Sequence, residues 1–310
     1  MKTKDGKITG KTAFYCEALK VTRQGFYKYL KNRNKPWKYE ALAAKMRKII
    51  IRDECNDKYG RERMRFALML KQEEARSKGE DFPDIPSEST VYRVMSRAGL
   101  TKKPNKTPNS ITKADKAAQK SENLLNQDFT AGKPYEKCVS DITEVACMDG
   151  KLYVSLLADC FDNEVLGLSM ADNMRAELVR DTLIMAVRQH QELRINRAIV
   201  HSDRGSQYTS DLYRRYLNKY GITQSMNSAA GRCHDNAKAE SIIGRFKEEL
   251  LCGRYDTRKM PMESVKTLIW RYFMGYWNNR RICSANGGLP PAIKKRRYYE
   301  QILTSIPRAL

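Results

Sequence analysis

CVSDITEV (residues 138–145) is an apolar, β-branched stretch with an aspartate, Asp141, in its middle. This composition is typical of a core strand, where a carboxylate is costly to bury unless it is paired or binds a metal. A second such stretch, IVHSD (199–203), ends at Asp203 and runs into a glycine turn at Gly205. Acids on two core strands indicate a chemical role for both.

The pattern around these aspartates predicts a sheet of the ribonuclease-H type. The predicted elements are strands over 137–146, 151–160 and 164–171, a helix over 174–190, a strand over 197–202, a helix over 209–220 and a strand over 222–226. Three antiparallel strands followed by alternating helix and strand give this order. We therefore expect an α/β domain, with a mixed five-stranded sheet and helices on both faces.

A third carboxylate, Glu240, lies in a helical pattern that opens at Asp235-Asn236. One side of this helix carries an apolar stripe that can pack on the sheet, namely Ala239, Ile242, Ile243, Phe246 and Leu250. The other side presents Asn236, Glu240, Gly244 and Lys247. That face combines an acid for metal, a glycine that permits close approach and a cation for phosphate.

Asp141, Asp203 and Glu240 together suit two divalent cations, Mg²⁺ (or Mn²⁺). These ions prefer oxygen ligands, and two-metal sites hold them about 3.5–4 Å apart. We expect Asp141 to bridge both ions, while Asp203 and Glu240 each complete one shell. Such a site breaks or joins phosphodiester bonds by in-line displacement and needs no covalent enzyme intermediate.

Other candidate groups fit less well. The eight cysteines and three histidines show no C-x-x-C pair and no zinc spacing. Cys233 and His234 are adjacent and lack an orienting group for a nucleophilic dyad. Asp159 and Asp162 stand in a setting that favours turn roles, and we expect His201 to support its strand.

The charge of the chain indicates a nucleic-acid partner. The 310 residues carry a formal charge of +22, and the first 120 hold 30 Lys and Arg against 14 Asp and Glu. We find no apolar run long enough to span a bilayer and no apolar leader, so we expect a cytoplasmic protein without a membrane partner. A basic front end attached to an acidic site predicts an arm that grips DNA.

Helical patterns in the front part suit that arm. Residues 12–32 read as two short helices around a turn, with Thr22 as a capping hydroxyl and Arg23 and Gln24 opening the second helix. A later helix, capped at Ser89-Thr90, carries Arg93 and Arg97 on one side. We predict that these four side chains, together with Lys247 and Asn236, contact DNA.

Five segments follow from these patterns. We predict an N-terminal helix-turn-helix-like segment over 1–35, a helical DNA-binding (helix-turn-helix) domain over 36–104 and a basic linker over 105–130. The ribonuclease-H-like catalytic domain is expected over 131–284, followed by a basic C-terminal tail over 285–310.

The motif HSDRGSQYTS (201–210) resembles the OrfB-type transposases of bacterial insertion sequences, the IS-three family, which are relatives of retroviral integrases. Further matches are Asp141-Ile142-Thr143, Ser225-Met226, Asp235-Asn236-Ala237, Glu240-Ser241, Lys247 and the segment YWNNRR (276–281). The resemblance covers nearly the whole chain. It implies an integrase-type core with Asp141, Asp203 and Glu240 as a DDE triad, and Lys247 as a DNA contact.

The resemblance also implies an activity and partners. It implies Mg²⁺-dependent strand cleavage and strand transfer at the element's double-stranded DNA ends, into a target, by a homo-oligomer assembled on DNA. It further implies an upstream-frame partner protein that supplies a coiled coil. The protein would be nucleoid-associated in a bacterial cell when bound to DNA.

Two departures from the family pattern are present. Thirty-six residues separate Asp203 from Glu240, one more than is usual, and the extra residue falls in the loop at 227–232. Cys283 and Asn286 replace the more common His and Leu. Two other functions stay open, a non-catalytic DNA-binding regulator and a ribonuclease-H-type nuclease; the intact triad disfavours the first and the basic front end the second.

Overall fold

The computed structural model describes residues 3–4, 7–8, 12–102, 122–228 and 233–305. Residues 103–121, which include 105–121 of the predicted linker, lie outside the described residues. The helices are α1 Thr12–Ala18, α2 Arg23–Arg33, α3 Glu40–Arg52, α4 Arg61–Ser77, α5 Glu88–Arg97, α6 Ala176–Gln189, α7 Glu192–Ile195, α8 Ser206–Thr209, α9 Asp211–Tyr220, α10 Ala237–Phe246, α11 Met262–Trp270 and α12 Pro291–Ser305. The strands are β1 Thr3–Lys4, β2 Lys7–Ile8, β3 Lys137–Cys147, β4 Gly150–Asp159, β5 Val165–Ala171, β6 Ile199–Ser202 and β7 Thr223–Met226.

The front of the chain is helical, as predicted, apart from the short β1–β2 ladder. Thr22 caps α2 by accepting a hydrogen bond from the Gly25 amide at 3.0 Å. Helices α3, α4 and α5 form a bundle around a buried cluster that includes Leu42, Met46, Met64, Leu68, Val91 and Met95. No helix in the described part of the chain is long and apolar enough to cross a bilayer.

The central sheet has five strands in the order β5-β4-β3-β6-β7. The β3–β4 and β4–β5 pairs are antiparallel, whereas β6 pairs in parallel with both β3 and β7. The mixed sheet predicted from the sequence is therefore confirmed. The predicted helix over 209–220 differs in detail, because Ser210 interrupts it and caps α9 by accepting from the Tyr213 amide.

Helices cover both faces of the sheet. Val154, Leu156 and Ala158 of β4 lie in one apolar cluster with α10 and α11, and Leu157 lies in the other with α6 and α9. This alternation follows from the two-residue period of a strand. The apolar stripe expected on α10 is buried in the first cluster, so α10 packs on the sheet as predicted.

The end of the chain is more regular than a basic tail implies. A π-helical segment, Arg271–Trp277, continues from α11, and α12 occupies most of residues 285–310. Lys295 of α12 pairs with Glu164 and lies 3.5 Å from Asp162. These contacts hold α12 against the turn that joins β4 and β5.

A buried ionic cluster connects the front bundle to the sheet domain. Glu249, one turn after α10, accepts two hydrogen bonds from Arg281 (2.8 and 2.7 Å) and one from Arg63 of α4 (2.6 Å). The Tyr272 hydroxyl donates a fourth at 2.9 Å. Glu249 and Arg281 are 1% and 3% exposed. Burial opposes ionisation of Glu249, but the two arginines outweigh it and lower its pKa to about 2.

We predict that Glu249→Gln lowers the free energy of unfolding by about 3–5 kcal/mol, because it leaves two buried guanidinium groups without their carboxylate. Denaturant unfolding measures this change, with the adjacent Glu248→Gln as the matched control. Since the folded pKa lies below the ordinary 4.5, the wild type should lose stability as pH falls from 4.5 toward 2. Equal stability of the two variants would contradict the proposed strength of the cluster.

Candidate active site

The register of the sheet places Asp141 and Asp203 side by side. Val139 of β3 is paired with His201 of β6, and the two strands are parallel. Asp141 and Asp203 each follow these partners by two residues, so they stand at the same level. Side chains two residues apart share a face, and Val139 belongs to the cluster on the α10 face. Both carboxylates therefore lie at the part of the sheet that α10 covers.

Asp141 lies in an unfavourable electrostatic setting. Its carboxylate is half-buried and accepts a hydrogen bond from the Ile142 amide at 2.8 Å. Burial, followed by the negative charges of Asp203 and Glu240, raises its pKa to about 8, although Lys247 acts in the opposite direction. The charges of Asp203, Glu240 and Lys247 therefore all act on the Asp141 carboxylate.

Asp203 is held by the turn that follows it. The Gly205 amide donates to its carboxylate at 2.9 Å, and burial raises its pKa above the ordinary value. A Cβ on residue 205 would lie 3.0 Å from the Asp203 oxygen and 2.8 Å from Gln207. Glycine at this position therefore leaves room for the carboxylate.

Buried polar side chains support both strands. His201 contacts the Ser225 hydroxyl and the Asn227 side chain through its two ring nitrogens, at 2.8 and 3.0 Å. These contacts support the strand, as expected of His201. The Tyr208 and Ser140 hydroxyls are 2.9 Å apart beneath β3. This pair was not predicted from the sequence, although Tyr208 lies within the 201–210 motif.

The exposure of the side chains on α10 differs from the prediction at one residue, Asn236. Glu240 is exposed and Lys247 half-buried, with burial lowering the pKa of the lysine. Asn236, predicted to contact DNA, is only 2% exposed and donates to the Ser140 carbonyl at 3.1 Å. The prediction for Asn236 is therefore wrong, because its side chain joins the start of α10 to β3 and is not accessible to DNA.

The remaining predicted contacts lie on the front helices. Arg23 and Gln24 are exposed on α2, and Arg93 and Arg97 are exposed on α5. Arg97 stacks on the Trp37 ring at 4.6 Å. The structure does not bring these four side chains to the strands that carry the aspartates.

The structure also bears on metal binding and on the two rival carboxylates, Asp159 and Asp162. Among the described residues, no group of three or more His, Cys, Asp or Glu side chains is arranged to hold a metal ion. Asp159 and Asp162 are fully buried and accept from backbone amides in their turn, at Phe161 and Glu164 respectively. They occupy turn roles, as expected from the sequence.

The loop before Glu240 is described at its two ends. Residues 229–232 lie outside the described residues, and so does the extra residue of the spacing if it falls there. The described ends of the loop are joined, because Ser228 donates to Asp235 through both its amide and its hydroxyl, at 2.8 and 2.5 Å.

Comparisons with known proteins agree on one kind of protein. An integrase core domain model matches residues 131–233. Transposase InsF for insertion sequence IS3A of Escherichia coli is 30% identical over 276 residues, which is 89% of this chain and 91% of that protein. The putative transposase InsK for element IS150 of Escherichia coli is 30% identical over 285 residues, 91% of this chain and 92% of that protein.

Solved structures with TM-scores below 0.5 were also found. The HTLV-2 integrase catalytic core domain in complex with magnesium has a TM-score of 0.39 and 14% identity, covering 54% of this chain and 99% of that one. The catalytic domain of Mos1 mariner transposase has a TM-score of 0.38 and 15% identity, covering 54% and 76%.

We predict that Asp141→Asn stabilises the metal-free protein by about 1–3 kcal/mol at neutral pH, because it removes a disfavoured charge. The folded pKa of about 8 exceeds the ordinary 3.8, so wild-type stability should fall as pH rises between these values. Denaturant unfolding across this pH range measures both effects. The control Asp172→Asn, at an exposed position after β5, should change neither, and an Asp141→Asn variant less stable than wild type would refute the electrostatic account.

Proposed function

This chain belongs to the transposases of the IS3 family, and from that premise we propose that it cleaves DNA strands at the ends of an insertion sequence and joins them to a target. The observation that carries the proposal is the convergence of three carboxylates: β3 and β6 set Asp141 beside Asp203, and the charges of Asp203 and Glu240 both act on Asp141. Cations bound among these acids would relieve the unfavourable charge of Asp141.

The side chains present fit a divalent cation. The donor set consists of carboxylates, which Mg²⁺ and Mn²⁺ prefer, and the raised pKa of Asp141 marks a charge that lacks compensation. Asp141, Asp203 and Glu240 would hold the ions. When bound, the ions would activate the attacking oxygen and stabilise the leaving one.

The protein's own contribution is to position the carboxylates and the DNA. The adjacent strands β3 and β6 set the spacing of the two aspartates, and α10 brings Glu240 to them. Lys247, half-buried beside Asp141, can contact a phosphate next to the reacting one. No nucleophilic side chain is required, because water or a DNA 3′-hydroxyl attacks directly.

The front helices would hold the DNA outside the reacting bonds. Arg93 and Arg97 project from one exposed side of α5, and Arg23 and Gln24 open α2 in the position of a helix-turn-helix reader. We assign 36–104 to DNA binding and 131–284 to catalysis on this basis. We also propose assembly of several copies on DNA, with an upstream-frame partner.

We predict that Asp203→Asn reduces Mg²⁺-dependent strand joining by about a thousandfold, because a metal ligand is lost. The substrate is a labelled duplex that carries the element's own end, with a plasmid as target. Binding of the same duplex should stay within about twofold, since the basic contacts are intact. Asp211→Asn, an exposed aspartate at the start of α9, is the control and should join normally; full joining by Asp203→Asn would exclude this site.

We predict that Gly244→Ala raises the stability of the protein but slows strand joining. A Cβ at this position meets nothing within 4 Å, and alanine in a helix interior is favoured over glycine by about 1 kcal/mol. The variant should therefore be slightly more stable yet about tenfold slower in joining, because the methyl group stands where DNA approaches α10. Unchanged or faster joining would remove this face of α10 from the DNA path.

A further inference from the structure

A basic cleft of 760 Å³ separates the front bundle from α10. One wall comes from the start of α4 and the residues before it, and the other from α10 and the segment after residue 280. Six basic residues line the cleft, against one acidic residue, Glu62. The basic residues are Lys58, Arg61, Arg63, Lys238, Arg245 and Arg281.

Three of these cations, Lys58, Arg61 and Arg245, have no strong acidic partner among the described residues. Arg63 and Arg281 form the back wall and share Glu249, as described above. Arg61 meets Glu88 only at 3.6 Å, with both side chains about half exposed, so this pair is weak. Arg245 is exposed, and within the described ranges no acidic partner is found for it or for Lys58.

The cleft and Glu240 lie on the two flanks of the exposed half of α10. Lys238, Ser241 and Arg245 follow one another at i, i+3 and i+7, and so lie along one side of the exposed half of the helix. At about 100° per residue, Glu240 and Lys247 lie roughly 140–180° around the helix from Lys238 and Arg245, on the opposite flank of this exposed half. Ser241 and Gly244 lie between the two flanks, and Gly244 faces open space, so a backbone bound in the cleft can cross α10 over these two small residues to Glu240.

We propose that this cleft binds the sugar-phosphate backbone of duplex DNA and carries the DNA path from the carboxylates toward the front bundle. Two basic walls set apart by an open cleft suit an extended polyanion better than a single small anion. The proposal rests on the proposed function in that it takes DNA as the polyanion. It adds a site, formed jointly by α4 and α10, that neither element provides alone.

The test uses the full chain and the double variant Arg61→Gln/Arg245→Gln, one change on each wall. Fluorescence anisotropy with a labelled duplex of random sequence, without divalent metal, gives the affinity across a range of salt concentrations. Loss of two phosphate contacts should reduce the slope of log K against log salt by about 1.8 and the affinity by about tenfold or more. The matched control is Arg188→Gln/Arg258→Gln, two exposed arginines outside the cleft, whose slope should stay at the wild-type value.

A cleft variant with the wild-type slope would overturn the proposal, and so would a control that loses slope equally. If instead the cleft variant binds DNA normally but sediments as a smaller assembly, the cleft belongs to a second copy of the chain and the proposal fails. Thermal unfolding should be unchanged, because both substituted side chains are exposed. The two proposals fail separately: a wild type that binds in the cleft without joining strands refutes only the function, and normal joining with an unchanged slope refutes only the cleft.

Discussion

The carboxylate of Glu249, buried between two arginines, connects three parts of the chain that are far apart in sequence. Arg63 comes from the front bundle, Arg281 follows the π-helical segment, and Glu249 lies one turn beyond α10. A buried carboxylate is tolerable only when its acceptor positions are filled, and here two guanidinium groups and the Tyr272 hydroxyl fill them. The front bundle and α10 are consequently held in one arrangement.

The geometry of the candidate site follows from that constraint. Helix α10 is fixed near its end by Glu249 and at its start by Asn236, which donates to the Ser140 carbonyl of β3. Glu240 lies between these two anchors, while the parallel pairing of β3 and β6 sets Asp141 beside Asp203. Asp203 and Glu240 therefore act together on Asp141 and raise its pKa, and bound cations would relieve this unfavourable charge.

Local pattern predicted much of this structure. The strand alternation, the stripe on α10 and the two acids on core strands all depend on neighbouring residues, and the mixed sheet matches the prediction. The Glu249–Arg281 and Glu249–Arg63 pairs are 32 and 186 residues apart, and no periodicity links such partners. Asn236 was mispredicted for a related reason: helical spacing shows which residues share a side, but not that β3 covers the first turn. Helix α12 was missed because its basic composition resembles that of a solvated tail.

The most direct measurement is anomalous diffraction from crystals of this protein grown with Mn²⁺. The account predicts two strong peaks about 3.5–4 Å apart, with the Asp141 carboxylate between them and Asp203 and Glu240 on either side. A peak at the buried Asp159–Asp162 turn, or no peak among Asp141, Asp203 and Glu240 at saturating Mn²⁺, would contradict the claim that these three carboxylates form the catalytic metal site.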